Sequence, residues 1–138
     1  MAIQRLFVRK RDAFANEAAH VLATLQQELH VPATAVQIYE RYDVENLSEQ
    51  ALQNAKHLIF SEPPVDLVAE TLDIPENAFV FAIEYVPGQY DQRADSAEQC
   101  ISMLTLTTGH TVRCARVFII EGTFTEEEKA AIKQYYIN

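Results

Sequence analysis

The residues whose types and spacing bear on chemistry are concentrated in one stretch, VPGQYDQRADSAEQC, Val86 to Cys100. It lies between an apolar run, AFVFAIEYV, and a helical pattern, and it carries Gln89, Asp91, Gln92, Arg93, Asp95 and Ser96. Pro87 and Gly88 suit a turn, but a turn does not need that many further polar groups. A helix opening here presents free N–H groups and a positive end, which suits anions. Arg93 beside that end has the planar donor fork that grips phosphate or carboxylate in a bidentate manner. Gln89 and Gln92 can read neutral groups. The competing reading is structural: Asp91 or Asp95 caps the helix and Arg93 pairs with a neighbouring acid.

Other chemistry is not encoded in recognisable form. His20, His30, His57 and His110 are scattered, with no H-x-x-x-H and no cysteine pair beside them, so they read as surface or half-buried histidines and not as metal ligands. Neither Cys100 nor Cys114 has a histidine placed by motif, and G-x-S-x-G, the P-loop and G-x-G-x-x-G do not occur. No residue is assigned a catalytic role. A net charge of −9 disfavours a phosphate-backbone partner, because affinity for nucleic acid rests on clustered Lys and Arg. The basic residues Arg5, Arg9, Lys10 and Arg11 read as a strand edge and a solvated turn. No apolar run approaches the ~20 residues of a membrane span, and MAIQRLFVRKRD lacks the features of a signal peptide. A cytosolic chain with two reduced, partly buried cysteines is expected.

These residues must be positioned by a small set of elements. The 138 residues, 49% hydrophobic and 22% charged, suit one compact core or two small halves sharing one. Ile3 to Lys10 reads as a strand with Leu6 and Val8 on one face and Phe7 on the other. A helix over about Phe14 to Leu29 is predicted from Ala18, Leu22, Leu25 and Leu29, with Asp12 as a possible cap. Val36 to Glu45 is a second strand. Ser48 is a good N-cap for a second helix, with Leu47 and Leu52 forming a hydrophobic staple. Between His57 and Asn77, Pro63–Pro64 forbids a helix, while LIF and VDLVAETL each read as short strands. Ala78 to Val86 is another strand. Ala94, Ala97, Ile101 and Leu104 mark a third helix, with Asp95 and Glu98 spaced as a capping box. Val112 to Glu121 is a strand, and Thr125 with Glu128 opens a last helix to about Tyr136.

The order strand–helix–strand–helix thus occurs twice. VQIYERYDVE lies over VRCARVFIIE with an offset of 76 (112 − 36), and Ser48 lies over Thr125 with an offset of 77 (125 − 48). We expect an α+β fold of two ferredoxin-like halves related by internal duplication, with antiparallel sheets and helices packed outside. Half one covers about 1–60, a connection 61–77, and half two 78–138. Each small sheet leaves one face bare, so two halves can cover each other like a fused dimer. One face of the second strand reads Val36, Ile38, Glu40, Tyr42, Val44, and its counterpart reads Val112, Cys114, Arg116, Phe118, Ile120. Glu40 and Arg116, equivalent and opposite in sign, either meet at the pseudo-two-fold or are two unrelated solvated charges.

PGQYDQRADSAEQC, together with RYDVENLS, FSEPPVD and the closing EEEKAAIKQYYIN, resembles the N-terminal region of phosphoribosylformylglycinamidine synthase in its long single-chain, Gram-positive form. The resemblance covers essentially all 138 residues. It implies a PurS-like domain, similar to a fused pair of the small accessory subunits of the multi-subunit enzyme. The parent enzyme is a ligase of purine biosynthesis. It uses ATP and magnesium to activate formylglycinamide ribonucleotide, and ammonia from glutamine to form the amidine. The synthetase and glutaminase domains that would follow are absent from this sequence, so the resemblance implies membership of the parent and not catalysis by this chain, which needs no cofactor of its own. The implied partners are those two domains, with a homodimer of the isolated domain also possible. Gln89, Asp91, Gln92, Arg93, Asp95 and Ser96 are then candidates for a partner interface or a substrate edge. Alternatives are a free-standing ferredoxin-like regulatory module binding a small anion, and a separate homodimeric assembly subunit.

Overall fold

The computed structural model describes residues 3–86 and 88–137. The chain runs β1 (Gln4–Lys10), α1 (Asn16–Gln27), β2 (Ala35–Glu45), α2 (Glu49–Leu58), β3 (Asp66–Ala69), β4 (Ala78–Glu84), α3 (Gln92–Thr105), β5 (Thr111–Glu121) and α4 (Glu126–Tyr136). The fold is α+β: five antiparallel strands form one sheet in the order β3-β1-β2-β5-β4, and the helices pack outside it, an arrangement consistent with a ferredoxin-like fold.

The two halves do not cover each other face to face. They join edge to edge, because β2 and β5 pair along their whole length, from Ala35↔Glu121 to Glu45↔Thr111. Each long strand thereby satisfies the other's free backbone groups, which stacked two-stranded sheets would leave as open edges. All four helices lie on one face. Under α2 and α3 the core comprises Leu6, Val8, Tyr42, Val44, Leu52, Ala97, Ile101 and Val112. Under α1 and α4 it comprises Val21, Leu25, Phe81, Phe118, Ile120, Phe124 and Ile132. The other face is closed in part by the connection 70–77, which links β3 on one edge to β4 on the opposite edge. Leu72 of this strap packs with Phe7, Val117 and Ile119. The uncovered part carries charged side chains instead: Arg5 Nε donates to Asp43 Oδ1 at 2.6 Å, and Arg41 pairs with Glu84.

Local chemistry explains most element ends. The Ser48 side chain accepts from Ala51 N, and Leu47 and Leu52 are buried in the same cluster, as a staple requires. Thr125 and Glu128 form both bonds of a capping box. Four local expectations are corrected. Asp12 does not cap α1; it sits in a 3-10 turn, Asp12–Phe14, and accepts from Arg9, while α1 begins after Ala15 without a side-chain cap. The buried face of α1 is Val21, Thr24 and Leu25, with Leu22 and Leu29 beside it. LIF is not a strand: Leu58 ends α2, and Phe60 packs on Tyr42 with ring centroids 4.7 Å apart. Of VDLVAETL only Asp66–Ala69 pairs, with β1.

The N-terminal basic residues find partners within the fold, three of them carboxylates. Arg5 pairs with Asp43, Arg9 with Asp12 and Lys10 with Asp66, and Arg11 Nε donates to the Pro63 carbonyl. Cys114 is buried, whereas Cys100 is exposed. Among the described residues no helix is long and apolar enough to cross a membrane.

Candidate functional site

The stretch after β4 is shaped first by backbone constraints. Gln89 N donates to the Val86 carbonyl at 2.9 Å, closing a turn in which Gly88 has φ +88°, a conformation that favours glycine. Pro87, the expected partner of Gly88 in this turn, lies outside the described residues. Asp91 then caps α3, its Oδ1 accepting from Ala94 N at 3.1 Å. Ala94, Ala97 and Ile101 bury one face of α3 against the sheet, which fixes where the first turn points its polar side chains.

The capping box expected from Asp95 and Glu98 does not form. The helix begins one turn earlier, because Asp91 takes the cap and places Ala94 in the first turn, on the buried face. Asp95 accepts from the Tyr90 hydroxyl at 3.1 Å and from Gln99 Nε2 at 3.0 Å. Glu98 instead ties α3 to the start of β5, its Oε2 accepting from Val112 N at 2.9 Å.

Five of the six candidates, Gln89, Asp91, Gln92, Arg93 and Ser96, line one groove of about 770 Å³. Asp95 lies outside it. Glu40, Cys114 and Arg116 contribute from the sheet, and Tyr85, Val86, Tyr136 and Ile137 form an apolar rim. Tyr85, Val86 and Ile137 are exposed.

Arg93 is not free for a ligand. Its Nη1 contacts Glu40 Oε2. Burial draws the Arg93 pKa down, but the hydrogen bond and charge of Glu40 more than offset this, and it lies above its ordinary value. Glu40 also faces Arg116, directly opposite it in the β2–β5 register, with Oε1 to Nε 3.4 Å. The two charges therefore meet at the centre of the seam. Arg116 Nη2 in turn contacts Glu17 of α1, and its guanidinium lies 5.4 Å above the Phe118 ring. The result is an alternating chain, Glu17–Arg116–Glu40–Arg93, between the two apolar clusters on the helix side. A second, smaller cavity of about 340 Å³ touches the same chain from the α1 side, lined by Arg9, Asp12, Glu17, Glu40, Asp66 and Arg93 among others.

Cys114, which the sheet contributes to the groove, is not poised for chemistry. Burial, aided by the Asp91 and Glu40 carboxylates, pushes the Cys114 thiol up to about 12, so it holds its proton at neutral pH. Tyr42, beneath the same chain, is also pushed up to about 12, chiefly by burial. Among the described residues, no three His, Cys, Asp or Glu side chains converge as metal ligands would. The arrangement offers amides, a hydroxyl, a paired guanidinium and an apolar rim, which is recognition chemistry.

The site residues missed by sequence reading are Glu17 and the rim at Tyr136 and Ile137. Glu17 was detectable: the offset of 76 that relates Glu40 to Arg116 (116 − 40) also relates Glu17 to Arg93 (93 − 17). The rim had no signal, since α4 reaches β4 only in three dimensions. No family model, no curated protein and no solved structure matches the chain.

Proposed function

We propose that this chain is a PurS-like assembly domain of a phosphoribosylformylglycinamidine synthase, a fused pair of α+β halves working in the cytosol. Its groove at the N-terminus of α3 receives a segment of the synthetase or glutaminase domain and borders the substrate pocket. One observation supports this reading most: Gln89, Asp91, Gln92, Arg93 and Ser96, from the stretch that carries the family resemblance, gather in one accessible groove with an apolar rim. Polar groups ringed by exposed Tyr85, Val86 and Ile137 suit a protein segment more than a small anion. The regulatory, anion-binding alternative is weakened because the guanidinium it would use is already engaged by Glu40.

The test is complementation. A synthase of the long single-chain type is prepared without its N-terminal domain, and this chain is added in trans. Restored glutamine-dependent amidine formation is expected, with Arg93→Ala and Gln92→Ala variants losing the coupling of glutaminase to synthetase turnover. No restoration by the unaltered chain, with no complex detected, refutes the assignment.

A further inference from the structure

The charged chain on the helix side is made of matched positions. Glu17 is the second residue of α1, and Arg93 is the second residue of α3. Glu40 is the sixth of eleven residues in β2, and Arg116 is the sixth of eleven in β5. Because Glu40 and Arg116 are paired directly, the local two-fold that exchanges β2 with β5 passes between them. The same operation exchanges the Glu17–Arg116 contact with the Arg93–Glu40 contact. Both acids belong to the first half and both bases to the second.

We propose that this quartet is a heterotypic pairing code: it makes the β2–β5 seam accept one half of each kind and reject two halves of the same kind. Two first halves joined in this register would set Glu40 against Glu40, with a Glu17 carboxylate on either side. Two second halves would gather four guanidinium groups. The seam's backbone ladder cannot make this choice, since it is blind to side-chain identity. On the helix-covered face the flanking positions cannot make it either, because Val36, Ile38 and Val44 are apolar and so are Val112, Phe118 and Ile120. Discrimination between partners of similar apolar shape is what placed like charges achieve. The code bears equally on encounters between molecules, where only unlike halves can be exchanged.

The test uses the whole chain with a protease site placed in the connection 70–77. The folded protein is cut, dissociated in urea and allowed to reassemble by dilution. We expect 1:1 reassembly of unlike halves and no like-half dimer in the refolded mixture. Reversing only the second half (Arg93→Glu with Arg116→Glu) should weaken reassembly by roughly tenfold or more. Reversing the first half as well (Glu17→Arg with Glu40→Arg) should restore most of it. The proposal is overturned if like halves pair as readily as unlike ones. It is also overturned if the fully reversed quartet reassembles no better than the half-reversed one.

Discussion

Glu40→Gln is the substitution that bears most directly on how the charged chain contributes to stability. It keeps the shape of the side chain and removes its charge, leaving Arg93 and Arg116 facing an amide. Glu40 is 24% exposed, Arg93 50% and Arg116 36%. A fully buried pair broken on one side costs about 3–5 kcal/mol, whereas an exposed pair is worth about 0–1 kcal/mol. Water reaches both arginine side chains, although Glu40 Oε2 and Arg116 Nε are themselves buried, so each contact belongs at the upper end of the exposed class. The two together give about 1–2 kcal/mol, or roughly 4–8 °C in Tm for a domain of this size. Glu17 is 62% exposed and makes one such contact, so Glu17→Gln should cost at most about 0.5 kcal/mol. Urea unfolding read by circular dichroism, at low salt and again near 0.5 M salt, measures both. The Glu40 effect should shrink at high salt while the slope with urea stays constant. A Glu40→Gln protein as stable as the unaltered one, or a Glu17→Gln protein equally damaged, would falsify the placement of Glu40 as the hub.

Asp91→Ala should cost about 1 kcal/mol through loss of the α3 cap, and Asp95→Ala only a few tenths; equal losses in thermal unfolding would return the cap to Asp95. Gly122 has φ +145°, and an added Cβ would lie 2.6 Å from the Pro32 carbonyl oxygen, so Gly122→Ala should destabilise by about 2 kcal/mol or more, measured as a fall in urea midpoint. The Cys114 thiol is raised from 9.0 to about 12 on folding. Below pH 9 both states hold the proton and nothing is lost. Above it the unfolded chain ionises first, so stability falls between pH 9 and 12. Cys114→Ala should flatten that decline in unfolding midpoints from pH 8 to 10.5, and an unchanged slope would remove Cys114 from the account. Thiol labelling should modify exposed Cys100 in the native state and Cys114 only on unfolding.

The parts legible in the sequence were those governed by short-range periodicity and caps. Ser48 and Thr125 announce their helices through hydroxyls three residues from the N–H groups they accept. The alternation in β2 and β5 places Glu40 and Arg116 on the helix-covered face, and their sequence equivalence anticipated their meeting. The failures came where tertiary burial overrode a local pattern. The spacing of Asp95 and Glu98 fits a capping box, but Asp91 caps α3 one turn earlier, with Ala94 on the buried face, and Glu98 is released to Val112. LIF is apolar enough for a strand, yet Phe60 is committed to Tyr42 by the packing of α2. The manner in which the halves join was invisible for a related reason. A bare sheet face and a free strand edge both need cover, and sequence periodicity reports faces but not edges. The groove follows the same division: its loop residues stood out as a polar excess, while its rim depends on where α4 ends in space.

The β2–β5 seam also sets a clock. Its paired residues lie between 66 (111 − 45) and 86 (121 − 35) positions apart along the chain, so even the nearest seam contact closes a loop of 66 positions. The entropy of closing so large a loop comes before any of its rewards, while the β1–β2 and β4–β5 pairs within each half close shorter loops, from 31 (115 − 84) to 43 (121 − 78) positions. The seam is therefore the step that times refolding, and apolar truncations on β5, such as Val117→Ala, should slow folding in stopped-flow traces more than cap substitutions on α4 do. Until that ladder closes, the facing edges of β2 and β5 are both exposed. The opposite charges at the ladder's midpoint act in that interval, drawing each edge towards the one surface that completes it.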